Sequence, residues 1–442
     1  MTHKSDKYDL AVIGGGFSGM NLAFRLSKDY NKKVILLEKD EQLGGLASTF
    51  SYKGVEIEKF YHHWFTGDTA ILNLISELNL DHLLMSKPSN TGTYYANELF
   101  RLSSPLDLLK YKPLSFFGRL RLGFGYLLTN FIKEDPALAA ESAKDWLVKI
   151  FGSEVFTKIW QPLLQGKFGS MYEDLSAIWI WKKLVLRGGS RAKDGREYLI
   201  YFNGSFKELT KKIEQQIIIN GGNVTKNFLT NKITFDSQGS LNISSSDERH
   251  VQADQIIFTT PPEISAKLSK EIIPTSLLKA LNRVKYLGNV CMVLFLKKPL
   301  SDFYWLNIND PEFPYVGIIE HTNFDQKFLE QDLSVVYLSR YCPINDEYYL
   351  MEDEELLNFS LTALQKMFPR FKRDHLFDFS VWRSEHSQPF MERNYQDIIP
   401  PIMLIENKVF QTSMANIYPE DRGTNFAVEY TNKFLTKYYE KS

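Results

Sequence analysis

Three glycines, Gly14, Gly16 and Gly19, stand in the spacing G-x-G-x-x-G behind the apolar run Leu10–Ile13. Residues in that pattern can cradle a pyrophosphate. The first glycine allows a tight turn out of a strand. The second removes a Cβ where phosphates approach the backbone, and the third lets a helix lie close on the strand. Phe17 and Ser18 fall in the first turn of that helix, where free N–H groups and the positive dipole end face an anion. A second apolar run, KVILL at 33–37, ends at Glu38, with Lys39 beside it. A carboxylate about 20 residues beyond the turn is placed to accept from a pair of ribose hydroxyls, and it would repel a 2′-phosphate. One dinucleotide is therefore expected. Gly123-Phe124-Gly125 does not complete a second turn of this kind.

Other residue types suggest what happens beside the dinucleotide. His62 and His63 are adjacent in KFYHHWF, a short segment that can donate a hydrogen bond or move a proton. No further ligands lie close to them in sequence, and no metal is expected. Arg340 ends the strand-like run Val335–Tyr341, and Arg383 follows Trp382 near the end of another. If both face the site, they would pair bidentately with phosphate or carboxylate on an anionic small-molecule substrate. Glu320-His321-Thr322-Asn323 is a candidate polar cluster at a pocket mouth. Arg187, Arg191 and Arg196 stand in a glycine-containing charged stretch that reads as an exposed loop able to close over a phosphate. There is no G-x-S-x-G elbow, no H-E-x-x-H and no phosphate-cradling lysine loop.

The elements that must position these residues alternate between strand and helix. After the opening βαβ unit comes an apolar helix over 69–80, then a mainly helical stretch from Tyr94 to about Arg196. Strand patterns return at 198–202, 231–235, 241–244 and 254–260, with a helix over 206–219. Further strands are expected over 290–296, 315–320, 335–341, 377–383 and 409–413. Helices are expected over 353–367 and from Thr424. The segment 114–132 is the most membrane-like, yet it contains Arg119 and Arg121, and its uncharged part is too short to span a bilayer. It reads as a buried or pocket-lining helix, with a lipid-touching surface helix and peripheral membrane contact as the alternative. The chain has 442 residues, enough for two domains, and a net charge of −1 points to no nucleic acid. Aromatic residues at 14% suit an apolar ligand cavity or a large core. Cys291 and Cys342 lack metal-ligand spacing and are far apart, so a reducing, cytoplasmic setting is the expectation.

Several segments resemble the FAD-dependent amine oxidase and protoporphyrinogen oxidase superfamily, with features similar to UDP-galactopyranose mutase. VIGGGFSGMNLAFRL with Glu38 resembles its first flavin motif, and EKDEQLGGLAST its second. NGSFKELTKKI with GGNVTKN resembles its mid-chain return to the flavin domain, and VFQTSMANIYPEDRGTNFAVEY its last motif. The resemblance implies an α/β fold: a discontinuous Rossmann-type FAD-binding domain plus an α+β substrate domain. The FAD-binding segments would be 1–85, 198–265 and 401–442. A mainly helical substrate region would occupy 86–197, and a mixed-sheet substrate domain 266–400. It also implies that Gly44, Gly45 and Leu46 lie against the flavin. Val224 would present its backbone to the adenine, and Thr260 would end a strand beside it. Ile417, Arg422, Gly423 and Thr424 would stand near the isoalloxazine, with His62 or His63. The last motif departs from the family's usual form: Tyr418-Pro419-Glu420-Asp421-Arg422 stands in place of a Gly-Asp pair and a run of small residues, and the mutase branch's corresponding segment is similarly rich in Tyr, Asp and Arg. The implied activity is hydride removal from a C–N or C–C bond of a cyclic or lipid-like substrate to the flavin. The alternative is redox-neutral isomerisation of a nucleotide sugar. Rab GDP-dissociation inhibitors share the architecture without a flavin; Glu38 and the Gly44-Gly45 pair argue against that reading.

Overall fold

The computed structural model describes residues 7–102, 105–189 and 197–440. An eight-stranded sheet forms because the apolar runs near both ends of the chain are buried on both faces, which parallel strands require. Its path runs Asn223–Thr225, Val34–Leu37, Lys7–Ile13, His250–Phe258, Leu241–Ser245, Thr230–Phe235. Val409–Gln411 also pairs with His250–Phe258, and Met403–Ile405 lies beyond it. Lys7–Ile13 is parallel to both neighbours, with Ile13 opposite Leu37 on one side and Phe258 on the other. The helix Phe17–Lys28 packs between the helices Phe206–Ile219 and Thr424–Tyr438 on one face of this sheet.

A seven-stranded sheet forms the second layer, ordered Leu376–Pro389, Tyr286–Leu296, Ser334–Cys342, Gly317–Glu320, Trp305–Ile308, Thr91–Tyr95, Glu98–Arg101. Strand alternation divides its central residues. Val290, Met292 and Leu294 join the core under the helix Asp353–Met367. Cys291, Val293 and Phe295 join the core shared with the first sheet's helices. The helices Phe116–Thr129, Ala143–Phe151, Gln161–Phe168 and Ala177–Gly189 share a separate core.

Two expectations need correction. The stretch after Tyr94 begins as a hairpin, because Ala96 and Asn97 take positive φ values of 53° and 61°, the geometry of a tight two-residue turn. In Phe116–Thr129 the buried face is made by Gly118, Leu122, Gly125 and Thr129, while most of its Phe and Leu side chains point outward. The helix is therefore neither buried nor pocket-lining. No helix among the described residues is long and apolar enough to cross a membrane. Arg191 and Arg196 lie outside the described residues, and Arg187 is described only as backbone at the end of Ala177–Gly189.

Candidate active site

Each glycine of the first turn answers to a different neighbour. Gly14 turns the chain at φ 108°, and the Thr259 hydroxyl lies 3.0 Å and 2.9 Å from the carbonyl oxygens of Ile13 and Gly14. A Cβ on Gly19 would stand 1.9 Å from the Gly14 carbonyl oxygen. A Cβ on Gly15, which the G-x-G-x-x-G spacing leaves unspecified, would stand 2.8 Å from Oε2 of Glu38. That carboxylate accepts from the N–H of Gly15 at 2.6 Å and of Asp40 at 2.9 Å, and burial pushes its pKa up. At Gly16 a Cβ would meet nothing within 4 Å. Gly16 also begins the helix Phe17–Lys28 with no side chain capping it, so the first-turn amides face open space. The Phe17 side chain turns into the core, and Ser18 is half-buried.

The second glycine pair closes on the first loop. Gly44 N–H donates to the Gly15 carbonyl at 2.9 Å, and a Cβ on Gly45 would lie 3.2 Å from the Gly16 Cα. Val224 pairs with Leu36 at the sheet edge, and Glu38 N–H donates to Thr225 O at 2.9 Å. The Thr260 hydroxyl is 2.8 Å from that of Ser265. Lys39 is exposed and stands 3.7 Å from Asp40.

Leu46, next to Gly45, leads from this cradle into a cavity of about 210 Å³. On its far side Gly423 and Thr424 open the helix Thr424–Tyr438, again without a side-chain cap. Thr424 accepts from the Trp64 indole N–H at 2.7 Å, which fixes that helix start against the histidine segment. His62 and His63 both line the cavity. His62 Nδ1 is 2.6 Å from the Phe60 carbonyl, so Nδ1 carries the proton and Nε2 is the acceptor. Burial pushes the His62 pKa down to about 4, leaving a neutral ring at pH 7. His63 Nδ1 lies 3.2 Å from the Tyr304 hydroxyl.

The cavity's carboxylates and cations are Asp68, Lys183, Asp421 and Arg422, of which sequence reasoning placed only Arg422 at the site; Asp68 accepts from the Phe65 N–H at 2.9 Å. The Arg422 guanidinium donates to the Tyr341 hydroxyl at 2.5 Å and to Gln388 Oε1 at 3.2 Å. Lys183 Nζ donates to Asp421 at 2.7 Å, and Lys167 stands behind at 4.0 Å. Burial works to raise the Asp421 pKa, but Lys167, Lys183 and Arg422 together hold it well below the carboxylate range. Ile417 is buried rather than cavity-lining.

The structure does not bring Arg340 and Arg383 to the cavity. Both pair in register with Val290, on the face under Asp353–Met367, whereas Ser339 and Tyr341 point the other way and line the cavity. Arg340 sits 3.4 Å from Asp346, and Arg383 donates to Asp353 at 2.6 Å and to the Met351 carbonyl at 2.6 Å. The 320–323 cluster is also elsewhere. Glu320, His321 and Thr322 are buried, and the Glu320 carboxylate accepts from the N–H groups of Leu300 and Ser301, each at 2.9 Å.

Below the histidine segment lies a fully buried carboxylate. Glu58 accepts from the Tyr201 hydroxyl at 2.5 Å and the Phe206 N–H at 2.8 Å, and burial pushes its pKa up from 4.5 to about 7. The folded state thus keeps a proton that the unfolded chain has lost. This contribution is fully present below the unfolded pKa and falls away as pH rises through the folded one. Glu58→Gln has no proton to lose. Its stability relative to the natural chain is expected to improve by about 3 kcal/mol between about pH 4 and about pH 8, as read by urea unfolding. An unchanged difference across that range would contradict the assignment.

An open phosphate cradle beside a ribose acceptor, leading into an aromatic cavity faced by a second uncapped helix, defines a dinucleotide-dependent redox protein. Matching it over residues 17–418, the chain belongs to the flavin containing amine oxidoreductase family, whose cofactor is FAD. It is 25% identical over 193 residues to protoporphyrinogen oxidase 1 of Spinacia oleracea, covering 41% of this chain and 33% of that protein. It is 22% identical over 310 residues to coproporphyrinogen III oxidase of Bacillus subtilis (strain 168), covering 62% of this chain and 64% of that one. The chain therefore spans between a third and just under two thirds of the length of these curated relatives. In fold it is similar to a protein of Exiguobacterium sp. 255-15 assigned as a protoporphyrinogen oxidase, with a TM-score of 0.76 at 15% identity over 99% of this chain and 100% of that one. It is equally similar to reduced UDP-galactopyranose mutase, with a TM-score of 0.76 at 13% identity over 97% and 94%.

Proposed function

We propose that the chain is an FAD-dependent oxidoreductase that takes a hydride from a C–N or C–C bond of a cyclic or lipid-like substrate carrying an anionic group. The observation that carries this reading is the open space at Gly16, packed against Gly45, whose chain neighbour Leu46 lines the aromatic cavity. The residues fit FAD. The amides beginning Phe17–Lys28 would hold the pyrophosphate and Glu38 the ribose, and the amides beginning Thr424–Tyr438 would face the ring system. Bound FAD supplies the hydride acceptor. The chain's own groups do the rest. Trp64, Trp305 and Tyr341 exclude water and orient a flat apolar substrate. Nε2 of the neutral His62 can accept a hydrogen bond in the cavity, and Lys183 with Arg422 would bind the anionic end.

The test begins with the absorbance spectrum of the purified chain, then identification of the chromophore released by heat. Anaerobic bleaching by carboxylated porphyrinogens, amines and polyenes then selects the substrate class. Lys183→Met is expected to raise KM for the carboxylated substrate about tenfold, with little change for a neutral one. Equal effects on both would remove the anion-binding role. The same two cations would suit a nucleotide-sugar diphosphate, which keeps the mutase reading as the second one. Turnover of a nucleotide sugar by dithionite-reduced protein, without net consumption of reductant, would replace the first reading with the second.

A further inference from the structure

The helix Phe116–Thr129 wears its apolar side chains on the outside. Its inner face is held close by glycines: a Cβ on Gly118 would stand 2.6 Å from Glu154 Oε2, and one on Gly125 would stand 2.5 Å from Phe151 Cδ1. Outward, Phe117, Leu120, Phe124, Leu127 and Phe131 are exposed by 79%, 46%, 65%, 62% and 81%. Their alternating spacing of three and four places them in one stripe. Leu106 and Leu109 of the short helix Pro105–Lys110 extend it, exposed by 68% and 48%. Eight of the nineteen large apolar side chains exposed among the described residues fall between 106 and 131. That concentration marks an interaction surface rather than ordinary scatter.

Charge selects the occupant. Lys110, Lys112, Arg121 and Lys133 are exposed around the stripe, and none is ion-paired among the described residues. Of the nearby acids, Glu134 pairs with Lys182 at 2.8 Å, Asp135 accepts from the Ala137 N–H at 2.9 Å, and Asp107 is half-buried on Pro105–Lys110, so the exposed cations outnumber the exposed acids around the stripe. A two-fold interface with a second copy would set this patch on itself and bring cation against cation. An anionic bilayer offers phosphates to the cations and acyl chains to the rings. A helix of 14 residues is about 21 Å long, too short to span a hydrocarbon core but suited to lying in its surface.

We propose that the stripe Phe117–Phe131, with its cationic rim, docks the protein on an anionic lipid surface. The docking helix packs against Ala177–Gly189, which carries Lys183 and Leu186 at the cavity. Docking therefore sets one wall of the cavity beside the bilayer. The inference stands apart from the choice of substrate.

The experiment is co-sedimentation of the full chain, saturated with FAD, with vesicles of phosphatidylcholine alone or mixed with phosphatidylglycerol. Binding is expected to the mixed vesicles and to weaken with salt. Replacing Phe117, Phe124 and Phe131 together by Ser is expected to reduce partitioning more than about tenfold, with flavin content and unfolding unchanged. A second variant, Lys110→Glu with Lys112→Glu and Lys133→Glu, is expected to lose the preference for anionic lipid. No sedimentation with either vesicle would overturn the proposal, as would undiminished binding by both variants. So would a dimer in light scattering that the serine variant dissolves in the absence of vesicle binding.

Discussion

Gly16→Val is expected to purify folded and colourless. The backbone at Gly16, φ −72° and ψ −179°, is extended and open to valine, and no protein atom lies within 4 Å of the added Cβ. The folded chain therefore tolerates the substitution, and its stability is expected within about 0.5 kcal/mol of the flavin-free natural chain. What the branched side chain does meet is the path of the pyrophosphate to the amides of Phe17–Lys28. FAD affinity is expected to fall at least about a hundredfold, which is about 2.7 kcal/mol. Flavin titration followed by absorbance checks this, with thermal unfolding as the control for folding. Normal flavin content in the variant would contradict the cradle.

Gly19→Ala, three residues on, is expected to do the opposite. Its methyl would stand 1.9 Å from the Gly14 carbonyl oxygen and 3.0 Å from the Thr259 hydroxyl oxygen. Relief requires the helix Phe17–Lys28 to move off the sheet. That helix is wedged between Phe206–Ile219 and Thr424–Tyr438, so the displacement opens gaps along both contacts. A loss above about 4 kcal/mol, or failure to accumulate soluble protein, is expected. Soluble yield and urea unfolding of the flavin-free chain report it. Stability within about 1 kcal/mol of the natural chain would mean that the helix does not need the close approach.

The two ends of the chain were the most legible because their signals are local. Gly14, Gly16, Gly19 and Glu38 lie within one βαβ unit, where spacing alone implies a geometry. Gly15 escaped that spacing, because what crowds it is Glu38 and Leu43, folded back from the next strand. The cavity was harder to read because it is assembled from side chains on separate elements. Arg340 and Tyr341 adjoin in sequence, but the pleat sends them to opposite faces, and only the sheet partners reveal which face meets the cradle. Lys183 carried no motif; it reaches the cavity because Ala177–Gly189 packs across it. The exposed helix was misread for a related reason. In FFGRLRLGFGYLLT the apolar residues suggested an inner face, whereas Gly118 and Gly125 supply the close contact.

The central strand Lys7–Ile13 has as one neighbour His250–Phe258, and the Thr259 hydroxyl secures the turn that follows. A ribosome adding about 5–20 residues per second takes roughly 12–50 s to supply that partner. During synthesis the newborn segment therefore waits with one apolar edge unmated. Mating that edge too early with another nascent copy would give aggregates instead of a coenzyme seat, so production of this flavoprotein should be sensitive to whatever shields Lys7–Ile13 until His250–Phe258 arrives.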